Sequence, residues 1–123
     1  MSIASVFHIT PEGAEGIALE PCAVVPAEAV IDGKPQEQGA VIHESADGKF
    51  IVGVWESTPY AEVFDEYPGD EFCHVLTGKV TLTDADGASK SYTAGQSYFV
   101  PKGFKGTFRV EETMRKYYAL YVG

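Results

Sequence analysis

Asp70-Glu71-Phe72-Cys73-His74-Val75-Leu76-Thr77-Gly78-Lys79-Val80 and Ala94-Gly95-Gln96-Ser97-Tyr98-Phe99-Val100-Pro101-Lys102-Gly103-Phe104 are the stretches that decide how this chain is read. Each is a short run rich in apolar and aromatic residues, which favour strands, and each is closed by a glycine turn. The period of two puts Glu71, Cys73 and Val75 on one face of the first run. Between the stretches lie Lys79 to Asp84, the turn Asp84-Ala85-Asp86-Gly87, and Ser89 to Thr93. Asp86-Gly87 predicts a hairpin, because both residues tolerate positive φ.

The same texture extends outward. Phe50 to Ser57, Ala61 to Glu66, Gly106 to Glu111 and Lys116 to Val122 are further short runs, bounded by Thr58-Pro59, Pro68-Gly69-Asp70 and Pro101-Lys102-Gly103. Closely spaced runs with turn chemistry between them predict a sandwich or barrel. No stretch keeps a helical apolar period, and only Glu111 to Arg115 is read as a single helical turn. Residues 1–48 differ. Pro11, Pro21, Pro26 and Pro35 recur among glycines, which forbids a long helix. Short extended pieces are expected there, at Cys22-Ala23-Val24-Val25 and Ala40-Val41-Ile42-His43. The organisation read is therefore one domain: residues 1–48 an arm packing on the barrel or on a dimer partner, residues 49–123 the barrel.

The chain has 123 residues and a formal net charge of −9. That charge, with no basic stripe, argues against nucleic acid and anionic membrane as partners. No apolar run reaches the ~20 residues that span a bilayer, and Met1-Ser2-Ile3-Ala4-Ser5 lacks the features of a signal peptide. A cytoplasmic location is expected. Cys22 and Cys73 are read as free thiols.

Glu71-x6-Gly78 followed by Gly95-x5-Pro101-x-Gly103 resembles the two halves of the cupin signature, with the intervening hairpin at the family's spacing. Gly53-Val54-Trp55-Glu56, Gly106-Thr107-Phe108-Arg109-Val110 and Thr113-Met114-Arg115-Lys116-Tyr117-Tyr118 are similar to the DUF861 cupins, related to (S)-ureidoglycine aminohydrolase. The resemblance covers Gly53 to Tyr121. It implies an all-β jelly-roll barrel (double-stranded β-helix). The strand edges of an open sandwich need covering and the arm is placed to cover a partner's edge, so a homodimer is expected; an interior lined by aromatics with one carboxylate, one thiol and one amine suits a small-molecule ligand.

The resemblance also implies where metal ligands would stand. Metal-binding cupins carry His-x-His before the motif glutamate and a histidine three positions after the second glycine. Here those places fall on Asp65 and Tyr67 (or Phe64 and Glu66) and on Gly106, leaving Glu71 alone. A transition ion wants three or four ligands in a fixed shell, so no metal site and no cofactor are expected.

If Glu71 faces the interior, alternation brings in Cys73, Val75, Phe108, Val110, Lys116, Tyr118 and Leu120. Trp55 and Tyr67 are placed at the mouth. Glu71 and Lys116 are the candidate catalytic couple, because a buried carboxylate needs a counter-charge and such a pair can serve as acid and base. Trp55, Tyr67, Cys73, Phe99, Phe108 and Tyr118 are the candidate substrate-binding residues. Each also has a purely architectural reading: Cys73 as a packed thiol, Trp55, Phe99 and Phe108 as core, Glu71 as an acceptor for turn amides, Lys116 as a solvated strand end. Three functions stay open: a metal-free binding module, a small-molecule enzyme acting on a C–N bond, and a structural dimer with a vestigial pocket.

Overall fold

The computed structural model of the chain describes residues 4–123. In chain order its strands are β1 (Ile9–Thr10), β2 (Gly13–Ala14), β3 (Ile17–Ala18), β4 (Glu20–Cys22), β5 (Val30–Gly33), β6 (Glu37–Glu44), β7 (Phe50–Ser57), β8 (Tyr60–Phe64), β9 (Asp70–Asp84), β10 (Ser89–Thr93), β11 (Ser97–Val100) and β12 (Gly106–Tyr121). Strands β4 to β12 form one antiparallel nine-stranded sheet, and β1 to β3 form a small sheet of their own.

Two long strands organise the large sheet. β9 and β12 pair along their lengths, from Asp84 opposite Gly106 to Asp70 opposite Tyr121. Both change course midway. Gly78 has φ +82, and a Cβ there would lie 2.0 Å from the Thr113 carbonyl oxygen, so only glycine fits. Opposite it, the register of β12 shifts between Val110 and Lys116, and such irregularities bend a strand and increase its twist.

The bend divides the sheet into two halves. One holds β5, β8, β10 and the Gly78-distal parts of β9 and β12; the other holds β4, β6, β7, β11 and the remaining parts. Their inner faces share a single core. Tyr60, Val80, Phe108 and Val110 come from the first half, and Trp55, Cys73, Val75, Tyr98 and Val100 from the second. Trp55 meets Tyr60 and Phe108 across the halves at 6.4 and 6.2 Å between ring centroids. Each large side chain so buried is worth roughly 1.5–3 kcal/mol. The architecture is an all-β cupin-type jelly roll.

Three local readings change. The first stretch, from Asp70, and the run Lys79 to Asp84 are one bent strand, not two. Glu111 to Arg115 is irregular strand within β12 rather than a helical turn: pairing with β9 continues through it, and the extra residues turn Met114 into the core at 0% exposure. At the hairpin only Gly87 takes positive φ, at +88. Asp86 does not need to, because the Asp84 carboxylate accepts the amides of Asp86 and Ala88 at 2.9 and 3.0 Å and closes the loop itself.

The described part of residues 1–48 packs on this chain's own barrel. β6 lies beside β7, with Glu37 opposite Ser57, and β5 lies beside β8. The arm's first strands reach the outer surface, where Arg115 donates to the Pro11 carbonyl at 2.9 Å and pairs with Glu56 at 3.0 Å. Among the described residues no helix is long and apolar enough to cross a membrane.

Candidate functional site

Alternation along β9 turns Glu71, Cys73 and Val75 inward, at 5%, 0% and 0% exposure, while Phe72 between them is half exposed. β12 delivers Lys116 between two inward neighbours, opposite Val75 on β9 and Trp55 on β7. The long-range register therefore carries Lys116 to Glu71. Its Nζ lies 3.7 Å from Glu71 Oε2 and 3.5 Å from Cys73 Sγ. The rings of Trp55, Phe108 and Tyr98 surround it at 5.2, 5.4 and 5.9 Å from Nζ to the centroids, a distance at which an aromatic face attracts a cation.

Burial opposes the charge on Lys116, but the Glu71 carboxylate beside it offsets that cost, and the ammonium is held above the ordinary lysine range. Tyr67 completes the pair by donating its hydroxyl to Glu71 Oε1. The loop carrying Tyr67 is fixed by two backbone bonds to the turn after β11: its amide donates to Phe104 and its carbonyl accepts from Gly103, at 3.0 and 2.9 Å. Burial raises the Tyr67 phenol, so it stays a neutral donor. Burial likewise pushes the Cys73 thiol up to about 11, which leaves it protonated and a poor nucleophile at neutral pH.

Of the candidate residues, Glu71, Lys116, Trp55, Cys73, Phe108 and Tyr67 converge on this cup. Tyr118 faces the same way but is half-buried, with its hydroxyl over Gly53. Phe99 does not join them. β11 aligns Tyr98 opposite Cys73 and Phe99 opposite Phe72, so Tyr98 points in and Phe99 out, at 7% and 58% exposure.

Tyr98 is one of four residues of the site that sequence reasoning overlooked, with Tyr60, Glu62 and the half-buried Glu37. Glu62 on β8, only 4% exposed, accepts the Tyr60 hydroxyl, and burial is the main cause of its raised pKa, against the opposing pull of Tyr60 and Lys116. Glu37 on β6 accepts the Trp55 indole at 2.9 Å and the Val24 amide at 2.9 Å, which locks the ring. The period of two already groups Tyr98 with Val100 and Tyr60 with Glu62. No such local signal marks Glu37.

The comparisons with known proteins agree with this geometry. The sequence profile of the EutQ-like cupin domain matches residues 44–118. This chain belongs to that family. Among solved structures, this cupin is similar to a Pseudomonas syringae protein of unknown function assigned to DUF861, with 26% identity and a TM-score of 0.76 over 83% of this chain. It spans only 43% of that protein's length. A DUF861 protein of Thermotoga maritima is 32% identical over 55% of this chain and 76% of its own, with a TM-score of 0.52. The EutQ protein of Clostridium difficile shares the fold, with 21% identity, a TM-score of 0.62 and 81% of each chain covered. No curated protein matches.

Cupins commonly hold a metal, so the fit of one to these residues can be tested. The place of the last histidine is Gly106, where a Cβ would stand 2.0 Å from the Thr83 carbonyl oxygen. The backbone itself occupies the space a ligand side chain would need. Asp65 is exposed, Tyr67 is engaged with Glu71, and Glu71 is shared with Lys116. His8 and His43 are exposed, and His74 lies on the outer face against Ser97 and Tyr117. Among the described residues no group of three or more His, Cys, Asp or Glu is placed to hold an ion. The residues of this cupin do not fit the ligand pattern of the metal-binding cupins.

Beside the cup lies a cavity of about 210 Å³ between β10, β11 and the turn after it. Leu82, Tyr92, Tyr98, Phe99, Val100 and Phe104 line it, together with the charged Asp84 and Lys90. Tyr98 is common to cavity and cup, with its ring stacked on Tyr92 at 5.0 Å.

Proposed function

We propose that this chain is a metal-independent small-molecule-binding barrel whose ligand engages the Glu71–Lys116 pair. The single observation that carries this reading is a buried ion pair at the bottom of an aromatic cup, where a hydrophobic residue of similar volume would give equal or better stability. A polar pair retained among Trp55, Phe108 and Tyr98, beside a cavity, has the make-up of a ligand site: apolar walls with a few oriented polar groups. Trp55, Tyr67, Cys73, Phe108 and Tyr118 are its walls in this proposal, and Glu71 and Lys116 its acid–base couple if it catalyses a reaction.

Thermal-shift screening of a metabolite panel, with and without Mn²⁺, tests it. Wild type is expected to be stabilised by at least one compound, Glu71→Gln to fold and lose that response, and Mn²⁺ to change nothing. A response undiminished in Glu71→Gln would place the site elsewhere.

A second reading is an enzyme acting on a C–N bond, as (S)-ureidoglycine aminohydrolase does. Glu71 beside an ammonium favours it, while the closed Gly106 position argues against the metal-dependent form. The proposal also includes a homodimer through the outer sheet face. Phe72 and Phe99 pair across β9 and β11 there at 50% and 58% exposure, with Tyr121 and Phe50 alongside at 49% and 40%.

A further inference from the structure

Two donors in the cup lack a strong acceptor. Tyr98 is inward-facing and 7% exposed, and its hydroxyl has no nitrogen or oxygen partner among the described residues, only the weakly accepting Cys73 thiol beside it. Buried hydroxyls nearly always have one. Lys116 carries three N–H donors. Among the described residues it makes one hydrogen bond, the 3.5 Å contact to Cys73 Sγ, a weak acceptor, while the Glu71 carboxylate stands off at 3.7 Å. Both side chains border Cys73: Tyr98 is its register partner on β11, and Lys116 touches its sulfur.

Charge balance decides what these donors await. Lys116 is the one buried cation among the described residues, and Glu71 already balances it, with Glu62 a second buried carboxyl. An anionic ligand would leave the interior with excess negative charge, and buried unbalanced charge is strongly disfavoured. A cationic ligand would meet N–H and O–H donors where it needs acceptors. An alcohol oxygen would bring a further proton in need of a partner. A carbonyl oxygen brings two lone pairs, no proton and no charge.

Resting on the binding reading above, we propose that Tyr98 Oη and Lys116 Nζ together cradle one carbonyl oxygen of a small uncharged ketone, aldehyde or amide, which enters past Tyr92 and Phe104. The 210 Å³ cavity that Tyr98 helps to line supplies the passage and room for the rest of the molecule, between the apolar Leu82, Val100 and Phe104 and the polar Asp84 and Lys90. The contact is non-covalent. Lys116 is held as an ammonium and has no free electron pair with which to attack the carbonyl.

Cyclohexanone with a ¹³C-labelled carbonyl is a suitable probe, compared with cyclohexanecarboxylate and cyclohexylammonium of the same ring size. Calorimetry is expected to show binding of the ketone to wild type and weaker binding of the two ions. The bound carbonyl stretch is expected below its value in water, because two donors polarise it in a dry site. In Tyr98→Phe the affinity falls about three- to tenfold, the worth of one such hydrogen bond, and the stretch moves back up. Borohydride added to the complex yields no mass increment on Lys116. A ketone that does not bind, that binds Tyr98→Phe equally with an unchanged stretch, or that is trapped covalently by borohydride overturns the cradle. If either ion binds instead and Glu71→Gln abolishes that binding, the carbonyl assignment fails and the ligand site stands. If no compound of any class binds in a Glu71-dependent way, both fail.

Discussion

Nζ of Lys116 lies 3.7 Å from Oε2 of Glu71, with the two side chains only 7% and 6% exposed. Neither group can be removed without stranding the other in an apolar interior. Lys116→Met is therefore expected to destabilise the fold by about 3–5 kcal/mol. The double variant Lys116→Met/Glu71→Gln is expected to recover much of that loss, because no lone charge remains. Urea denaturation of the four proteins gives the coupling energy; additive losses would mean the pair is not coupled.

Glu62 gives the fold a pH signature. Its folded pKa is raised above the ordinary value of 4.5, chiefly by burial. The folded state therefore holds this proton more tightly than the unfolded chain does. The resulting stabilisation is complete below 4.5 and is lost as pH rises through the folded value. Glu62→Gln keeps the contact with Tyr60 but has no proton to lose. The stability of wild type relative to Glu62→Gln is expected to fall with rising pH across that window, as read by denaturant midpoints. A flat difference would show that Glu62 is not buried in the way described.

The two thiols are expected to differ in reactivity. Cys73 is fully buried with its pKa pushed to about 11, while Cys22 is half-buried. At pH 8 iodoacetamide should label Cys22 first and Cys73 only in denaturant, as intact and peptide mass spectrometry would report. Fast labelling of native Cys73 would mean that the cup opens readily.

Restoring the family's histidine should not restore a metal. In Gly106→His a Cβ would stand 2.0 Å from the Thr83 carbonyl oxygen, so the strand must shift, at a loss of about 1–3 kcal/mol or more. Melting is expected to occur at a lower temperature and to be unaffected by Mn²⁺. A variant stabilised by Mn²⁺ would show that the backbone can yield there.

The proposed homodimer is open to a direct test. Light scattering at micromolar concentration is expected to give twice the chain mass for wild type. Phe72→Asp/Phe99→Asp should give the single-chain mass with an unchanged circular dichroism spectrum, because both rings lie on the outer face. A wild-type monomer, or a dimer indifferent to these changes, would exclude this interface.

Much of the barrel was legible because its causes are local. The runs Phe50–Ser57 and Ser89–Thr93 coincide with β7 and β10, and the stretch from Ala94 to Phe104 holds β11. Alternation correctly turned Glu71, Cys73, Phe108 and Lys116 to one side. It was less informative where two adjacent aromatics competed. Tyr98 and Phe99 have equal claims as strand residues, and only the pairing with Cys73 and Phe72 sends Tyr98 inward. The Glu111–Arg115 stretch was misread because its shape is dictated by β9 across the sheet, where Gly78 sets the bend.

The sequence by itself determined an all-β chain of the cupin kind, the alternation of each strand, and the absence of the usual ligand histidines. The all-β class and the alternation follow from side-chain period and turn chemistry; the cupin kind and the missing histidines follow from the resemblance of the two motifs. The tertiary structure alone decided that Lys116 meets Glu71 at 3.7 Å, that Glu62 enters the interior while the half-buried Glu37 reaches the Trp55 indole, and that Tyr98 is buried with no nitrogen or oxygen partner. Alternation says which residues share a face. Only the folding of one half of the sheet over the other says what that face will meet.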